Sequence, residues 1–158
     1  TYVLKGHIAV ASANLKKLKS AHLLDNLARK FLKKKGLDYP HGTGHGVGYF
    51  LNVHEGPVAI SKGYKIMLRP GNVMSNEPGF YKKGKFGIRI ENMIYVKKES
   101  KKLFFKNLTM VPFEKDLINF KILTKKEKNY LINYNLEIYS NVEKYLNYNE
   151  KFWLLSQF

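Results

Sequence analysis

The amino-acid sequence predicts an α+β fold with two opening helices, a mainly antiparallel sheet and a helical tail. Three observations support it. Apolar residues recur at helical spacing before residue 36, glycine and proline separate short apolar runs over residues 37–113, and helical spacing returns after residue 122. A length of 158 residues and a hydrophobic content of 44% suit one modest domain with a core of its own.

The first 36 residues predict two helices. Apolar side chains lie at near-helical intervals over residues 3–18, with lysines between them. In the second helix, apolar residues follow an i, i+3, i+4, i+7 pattern, namely Leu24, Leu27, Ala28 and Phe31. Ser20 is a candidate N-cap, Asp25 suits the first turn and Gly36 suits the stop.

The middle of the chain predicts strands and hairpins, because short apolar runs alternate with turn-forming residues. These runs are Val47–Val53, Ile66–Leu68, Val73–Met74, Ile88–Ile90, Met93–Val96 and Leu103–Phe105.

The last segment predicts a helical extension over residues 122–158, following a main domain over residues 1–121. Its apolar stripe comprises Leu131, Tyr134, Ile138, Val142, Tyr145 and Leu146. We expect its aromatic side chains to pack on the domain, namely Tyr130, Tyr134, Tyr139, Tyr145 and Trp153.

Charge and composition exclude several function classes. The net charge is +16, but lysine supplies 25 of the 28 positive charges, whereas base and phosphate recognition favours arginine. Nucleic acid is therefore not expected as the main partner. No stretch approaches the roughly 18 apolar residues of a membrane span, so no membrane partner is expected. The absence of cysteine excludes disulfides and thiolate chemistry.

The segment from His41 to Gly56 concentrates three histidines and five glycines. The glycines disfavour a helix, which excludes a zinc helix of the HExxH type, and their spacing does not fit a phosphate-binding loop. They would allow the backbone to approach a ligand closely. Taken alone, the segment is more typical of a glycine-rich hairpin with surface histidines.

Two glutamates change this interpretation. Glu77 and Glu91 each follow a short apolar run, where a carboxylate is costly unless it is paired or bound to a metal. Either one alone is typical of an exposed strand residue, and Arg89 could pair with a carboxylate. A histidine nitrogen with two carboxylates forms a mixed N/O set that suits Mn, Co, Fe or Zn, and its excess of oxygen favours Mn.

Several segments together resemble the C-terminal catalytic domain of the cytosolic-type aminopeptidase P family (Xaa-Pro aminopeptidases, M24 metallopeptidases). They are YVLKGHIAVA, GLDYPHGTGHGVGYFLNVHEGP, SNEPGFYKKGKFGIRIEN, LTMVPF and LTKKEKNYL. The wording HGTGHGVG followed by LNVHEGP is the most specific part. The resemblance implies the pita-bread fold, in which helices cover a curved, mainly antiparallel sheet around a dinuclear metal site.

The resemblance also implies roles for individual residues. The metal ligands would be His45, Glu77 and Glu91, with Glu91 bridging both metals and Glu77 also moving the proton. The other implied residues act on substrate or on a ligand: His41 and His54 contact the substrate and stabilise the transition state, Arg89 orients a ligand carboxylate, and Tyr81 lies close to the site.

Two of the family's five ligands are aspartates that would precede residue 1. The chain is therefore expected to be the back half of a catalytic domain. Its N-terminal portion would be a necessary partner, and the 158-residue chain alone is expected to be inactive.

The activity implied by the resemblance is hydrolysis of the N-terminal bond in a peptide whose second residue is proline. Two divalent ions are expected, Mn²⁺ first and Zn²⁺ or Co²⁺ as alternatives, in a cytoplasmic homodimer. The alternative is a non-catalytic pita-bread scaffold that binds protein or RNA. Scaffold relatives usually lose the ligands, whereas this chain keeps all three within its range.

Overall fold

A computed structural model describes residues 1–18, 20–50 and 52–158. Four α-helices are described: α1 Tyr2–Ala11, α2 Ala21–Lys33, α3 Lys125–Val142 and α4 Tyr148–Ser156. Seven strands are described: β1 Gly44–His45, β2 Ala59–Ile60, β3 Val73–Asn76, β4 Gly79–Lys82, β5 Phe86–Arg89, β6 Asn92–Glu99 and β7 Lys102–Asn107. None of the helices in these ranges combines the length and apolar character of a membrane span.

The strands pair in an entirely antiparallel manner, as the sequence predicted. β3, β6 and β7 form one sheet in that order, while β1–β2 and β4–β5 form two hairpin-like pairs. A bridge between Gly46 and Met74 joins β1 to β3. Asn76 at the end of β3 pairs with Asn92 at the start of β6, so the residues just beyond this pair meet.

The core lies where α1 and α2 cover the sheet. Its buried members come from both layers: Val10, Ala13, Leu15, Leu24, Ala28, Ile60, Met74, Ile94, Val96 and Phe105. Burial of this apolar face, at roughly 25 cal/mol per Å², is the main stabilising contribution to this unit. The unit comprises Tyr2–Thr109.

The first helix is shorter than predicted. α1 ends at Ala11, although the spacing extends to residue 18. Leu15 is buried, but its N–H donates to the carbonyl of Leu103 at 3.1 Å. The apolar spacing continues because the side chains still enter the core, while the backbone has left the helix to contact β7.

Two predicted strands are absent from the described residues. Residues 47–50 and 52–53 form irregular backbone with bends and a turn, in which the Gly48 N–H donates to the Asn52 carbonyl at 2.8 Å. Leu51 in that stretch lies outside the described residues. The segment Ile66–Leu68 has no regular secondary structure, and the Ile66 carbonyl accepts the N–H of Ala21 at the start of α2.

α2 begins at the predicted position, and Gly36 follows its end with a left-handed φ of +68°. Ser20 occupies the N-cap, yet its hydroxyl caps none of the described N–H groups. The carbonyls of Tyr64 and Ile66 accept from the first N–H groups instead. The prediction that Asp25 lies in the first turn was wrong, because it lies in the second turn, where it is buried.

The second unit comprises Met110–Phe158 together with Thr1. Capping boxes start α3 at Thr124 and α4 at Asn147. Tyr134, Ile138 and Leu154 form its core. Tyr130, Tyr134 and Tyr139 pack in or against this core, whereas Tyr145 and Trp153 are 75% and 61% exposed, so the expectation of packing was wrong for these two. The division of the chain at residue 121 stays a prediction.

Candidate metal centre

Three potential metal ligands converge at one end of the sheet. His45, Glu77 and Glu91 each offer a ligand atom, and these atoms all lie within 4.8 Å of one another. Glu77 directly follows β3, and Glu91 directly precedes β6, so the Asn76–Asn92 pair brings them together. His45 closes β1, which the bridge between Gly46 and Met74 holds against β3.

Hydrogen bonds orient Glu77 at both carboxylate oxygens. Oε1 accepts from the Ser75 hydroxyl at 2.9 Å, and Oε2 accepts from Arg89 at 3.3 Å. The side chain is largely buried, and the Glu77 N–H donates to the carbonyl of Thr43 at 2.7 Å. A buried carboxylate held in this way keeps one orientation toward the site.

The ring of His45 presents Nε2 to the same place. Its Nδ1 lies 2.9 Å from the Gly46 carbonyl, which can only accept, so Nδ1 carries the hydrogen. In the neutral imidazole the lone pair of Nε2 then faces Oε1 of Glu77 at 3.3 Å. Two ligands on one ion are separated by about 3.4 Å, given metal–ligand bonds of about 2.0–2.2 Å. A cation between these atoms would remove their repulsion, so the residues present fit a metal.

Arg89, Tyr81 and His41 form a chain of hydrogen bonds beside this group. Arg89 Nε donates to the Tyr81 hydroxyl at 2.7 Å, and that hydroxyl lies 2.8 Å from His41 Nε2. His41 Nδ1 faces the Gly42 carbonyl at 2.7 Å and so carries the hydrogen, which makes Nε2 the acceptor. The hydrogen bond to Tyr81, followed by the negative charges of Glu77 and Glu91, raises the pKa of the Arg89 guanidinium.

His54 reaches the site from the loop after β1. Its ring centroid lies 4.0 Å from that of His45, and its side chain is exposed. A cavity of about 290 Å³ opens in front of these groups. It is lined by His41, Gly42, Gly44, His45, His54, Glu77 and Arg89. The structure therefore brings together all seven residues that the sequence selected.

Two glycines of this segment have a structural role that the sequence did not predict. A Cβ added at Gly44 would lie 2.0 Å from the Ser75 carbonyl oxygen, and one added at Gly46 would lie 2.1 Å from the Glu55 carbonyl oxygen. Both glycines let neighbouring protein backbone approach closely, and Gly44 also lines the cavity. They let β1 pack against β3, which places His45 beside Glu77.

Sequence reasoning missed Ser75. Its hydroxyl is fully buried, donates to Glu77 and accepts the His45 N–H at 2.9 Å, so it joins two candidate ligands. Residues i and i+2 of a strand share a face, so a hydroxyl two positions before Glu77 was the available signal.

Comparisons with known proteins agree with this geometry. Residues 1–98 match metallopeptidase family M24, and residues 101–157 match the C-terminal region of peptidase M24. The chain is 49% identical over 156 residues to a probable Xaa-Pro aminopeptidase P of Fusarium vanettenii and 51% identical over 156 residues to that of Botryotinia fuckeliana. These alignments cover 92% of this chain but only 25% and 24% of the relatives, about a quarter of their length.

Solved structures give the same result. An X-prolyl aminopeptidase from Caenorhabditis elegans, described as a cytosolic enzyme with a di-nuclear active site, superposes with a TM-score of 0.89 at 39% identity. That match covers 99% of this chain and 27% of the other. A prolidase from Pyrococcus furiosus matches 68% of this chain and 30% of its own, with a TM-score of 0.59 and 32% identity.

Proposed function

Since this chain belongs to metallopeptidase family M24, we propose that it is the C-terminal part of the catalytic domain of an Xaa-Pro aminopeptidase. The family resemblance and the pita-bread fold predicted from the motifs are confirmed. The observation that carries the proposal is the convergence of His45, Glu77 and Glu91 beside one cavity, with a histidine on either side.

We propose that these three residues are metal ligands and that two aspartates from an N-terminal portion complete the set. The Caenorhabditis elegans relative is described as having a di-nuclear active site, which supports two metal ions here. The oxygen-rich donor set favours Mn²⁺, with Zn²⁺ and Co²⁺ as alternatives. Bound divalent ions would supply a water of lowered pKa and polarise the carbonyl that is attacked.

The protein groups would move the proton and hold the substrate. Glu77 takes the proton of the attacking water on a carboxylate oxygen and passes it to the proline nitrogen that leaves. Ser75 and Arg89 keep that carboxylate in place. His54 and His41 both line the cavity: His54 would donate to the oxygen that gains charge, and His41, whose ring Tyr81 orients, would contact the substrate.

The substrate would be a peptide with proline in the second position, cleaved before that proline. The names of the fungal and nematode relatives support this class. Proline has a fixed φ and no amide hydrogen, so a rigid pocket can select it. The retained ligands argue against a scaffold that binds protein or RNA, because such a scaffold has no need of them.

The test compares the 158-residue chain with a longer protein that also contains the N-terminal portion. Using an Xaa-Pro peptide and Mn²⁺, we expect hydrolysis by the longer protein and none by the chain alone. Mixing the two portions as separate chains should restore hydrolysis if they associate. Tight RNA binding by the longer protein, with neither bound metal nor hydrolysis, would instead support the scaffold.

We also propose a cytoplasmic homodimer. Large apolar side chains are exposed in the second unit, among them Ile132, Leu136, Tyr148, Phe152 and Trp153. Ile132 and Leu136 on α3, and Tyr148 and Phe152 on α4, are each four residues apart and so share a helix face, and contiguous exposed apolar surface marks an interaction site. The Caenorhabditis elegans relative is described as cytosolic, which supports the location. Sedimentation equilibrium of the longer protein would test the pairing, with a monomer at micromolar concentration contradicting it.

A further inference from the structure

We propose that Arg29, on helix α2, is a positioning residue that fixes His41 through the backbone of the segment 38–43. This inference rests on the proposed function, because it assigns His41 to the substrate side of the site. Arg29 lies outside the seven residues selected from the sequence, and it does not line the cavity beside the candidate metal ligands.

The guanidinium holds the segment directly. One terminal nitrogen donates to the carbonyl of Tyr39 at 2.8 Å and to Asp38 at 2.7 Å, and the other donates to the carbonyl of His41 at 2.5 Å. Nε donates to Asp25 at 2.9 Å. The planar fork of an arginine can serve all of these acceptors at once, whereas a lysine ammonium cannot.

A second set of contacts locks the same segment from within. The Tyr39 ring lies 3.9 Å from the Arg29 guanidinium carbon, and burial raises the pKa of its hydroxyl to about 12, so the hydroxyl keeps its proton. That hydroxyl contacts the Thr43 hydroxyl, which donates to the buried Asp25 at 2.7 Å. Each polar group of the network therefore has a partner.

The network reaches both sides of the site. Through the bond to the His41 carbonyl, the network fixes the backbone from which the imidazole extends. Nε2 of that ring lies 2.8 Å from the Tyr81 hydroxyl. Through Thr43, whose carbonyl accepts the Glu77 N–H, it supports the end of β3. A misplacement of about 1 Å can lower a rate by about 100-fold, so fixing this segment has catalytic value.

A buried ion pair alone would not indicate such a role, because apolar residues of similar volume often stabilise a fold equally well. Here the Arg29 guanidinium also donates to the backbone carbonyls of Tyr39 and His41, in the segment that carries the candidate site histidine. A cavity of about 440 Å³ borders Arg29, Asp25 and Asp38, and it offers a small cation access to the network.

The experiment uses the longer protein loaded with Mn²⁺ and compares Arg29→Lys and Arg29→Ala with the exposed control Arg69→Lys. We expect kcat/KM for an Xaa-Pro peptide to fall about 10- to 100-fold in both Arg29 variants. KM, which does not depend on the amount of folded enzyme, should rise. Guanidinium ion should partly restore Arg29→Ala, and the control should match wild type.

A crystal structure of Arg29→Lys supplies a readout independent of activity. We expect the contact between His41 and Tyr81 to be lost. An unchanged His41, or wild-type kcat and KM in Arg29→Lys, would overturn the inference. Inactive wild-type protein would refute the proposed function, and the His41 position would then decide the inference by itself. If the Arg29 variants fail to fold, Asp38→Asn, at a half-exposed partner, should still lower kcat/KM several-fold, and no change would overturn the inference.

Discussion

Replacing Ser75 by alanine is the perturbation that probes the candidate metal centre with least disturbance. The hydroxyl is fully buried, donates to Glu77 Oε1 at 2.9 Å and accepts the His45 N–H at 2.9 Å. It would not touch a metal ion itself. Its removal therefore tests whether two proposed ligands, His45 and Glu77, depend on this one hydroxyl for their positions.

The magnitude follows from these two bonds. A hydrogen bond to a charged group contributes about 1.5–3 kcal/mol, and each 1.4 kcal/mol is about tenfold in an equilibrium constant. Losing the bond to Glu77 should weaken Mn²⁺ binding about 10- to 100-fold, the range found when partners of metal ligands are removed. The His45 N–H, left without its acceptor, should lower the free energy of unfolding by about 1–3 kcal/mol.

The assay is equilibrium dialysis of the longer protein against Mn²⁺, followed by metal analysis. Ser75→Thr keeps the hydroxyl and should retain most of the affinity, and Ser12→Ala, at an exposed serine, should behave as wild type. Wild-type affinity in Ser75→Ala would refute the reasoning, because the hydroxyl would then not support the ligands.

Two further predictions concern the fold that carries the site. Gly44→Ala places a Cβ about 2 Å from the Ser75 carbonyl oxygen. The free energy of unfolding measured by urea titration should therefore fall by about 1–3 kcal/mol or more. The control Gly56→Ala, whose Cβ would meet no atom within 4 Å, should be neutral. Burial lowers the pKa of His7 to about 3, so the unfolded chain binds the additional proton below pH 6.5. Stability should therefore be full above pH 6.5 and fall by about 1.4 kcal/mol per pH unit as the pH drops from there toward 3. His7→Gln should flatten this slope in urea titrations between pH 7 and 5, and an unchanged slope would contradict the assignment.

The sequence predicted correctly those helices and strands whose apolar residues are spaced as their contacts with the core require. α2 and its stop at Gly36 follow from local spacing, and β3, β6 and β7 follow from short apolar runs. The site residues were found because their motifs are specific, and they meet because a single antiparallel pair, Asn76 with Asn92, joins the ends of two strands.

The sequence was insufficient where a distant backbone group decides the local structure. α1 ends early because Leu15 bonds to Leu103, and residues 66–68 serve the start of α2 although they look like a strand. Ser75 and Arg29 were missed for a related reason. Each residue matters because of the groups to which it is hydrogen-bonded in the folded chain, and a serine or an arginine in a sequence does not reveal those partners.

We propose above all that His45, Glu77 and Glu91 belong to a two-metal site that cleaves Xaa-Pro peptides. The most direct measurement is the metal content of the longer protein together with its Xaa-Pro hydrolysis, for wild type and for Glu91→Gln. We expect two Mn²⁺ per wild-type chain and rapid hydrolysis. In Glu91→Gln we expect loss of metal and at least a 100-fold lower rate, because a bridging ligand is removed. Undiminished metal content and hydrolysis in that variant would contradict the claim.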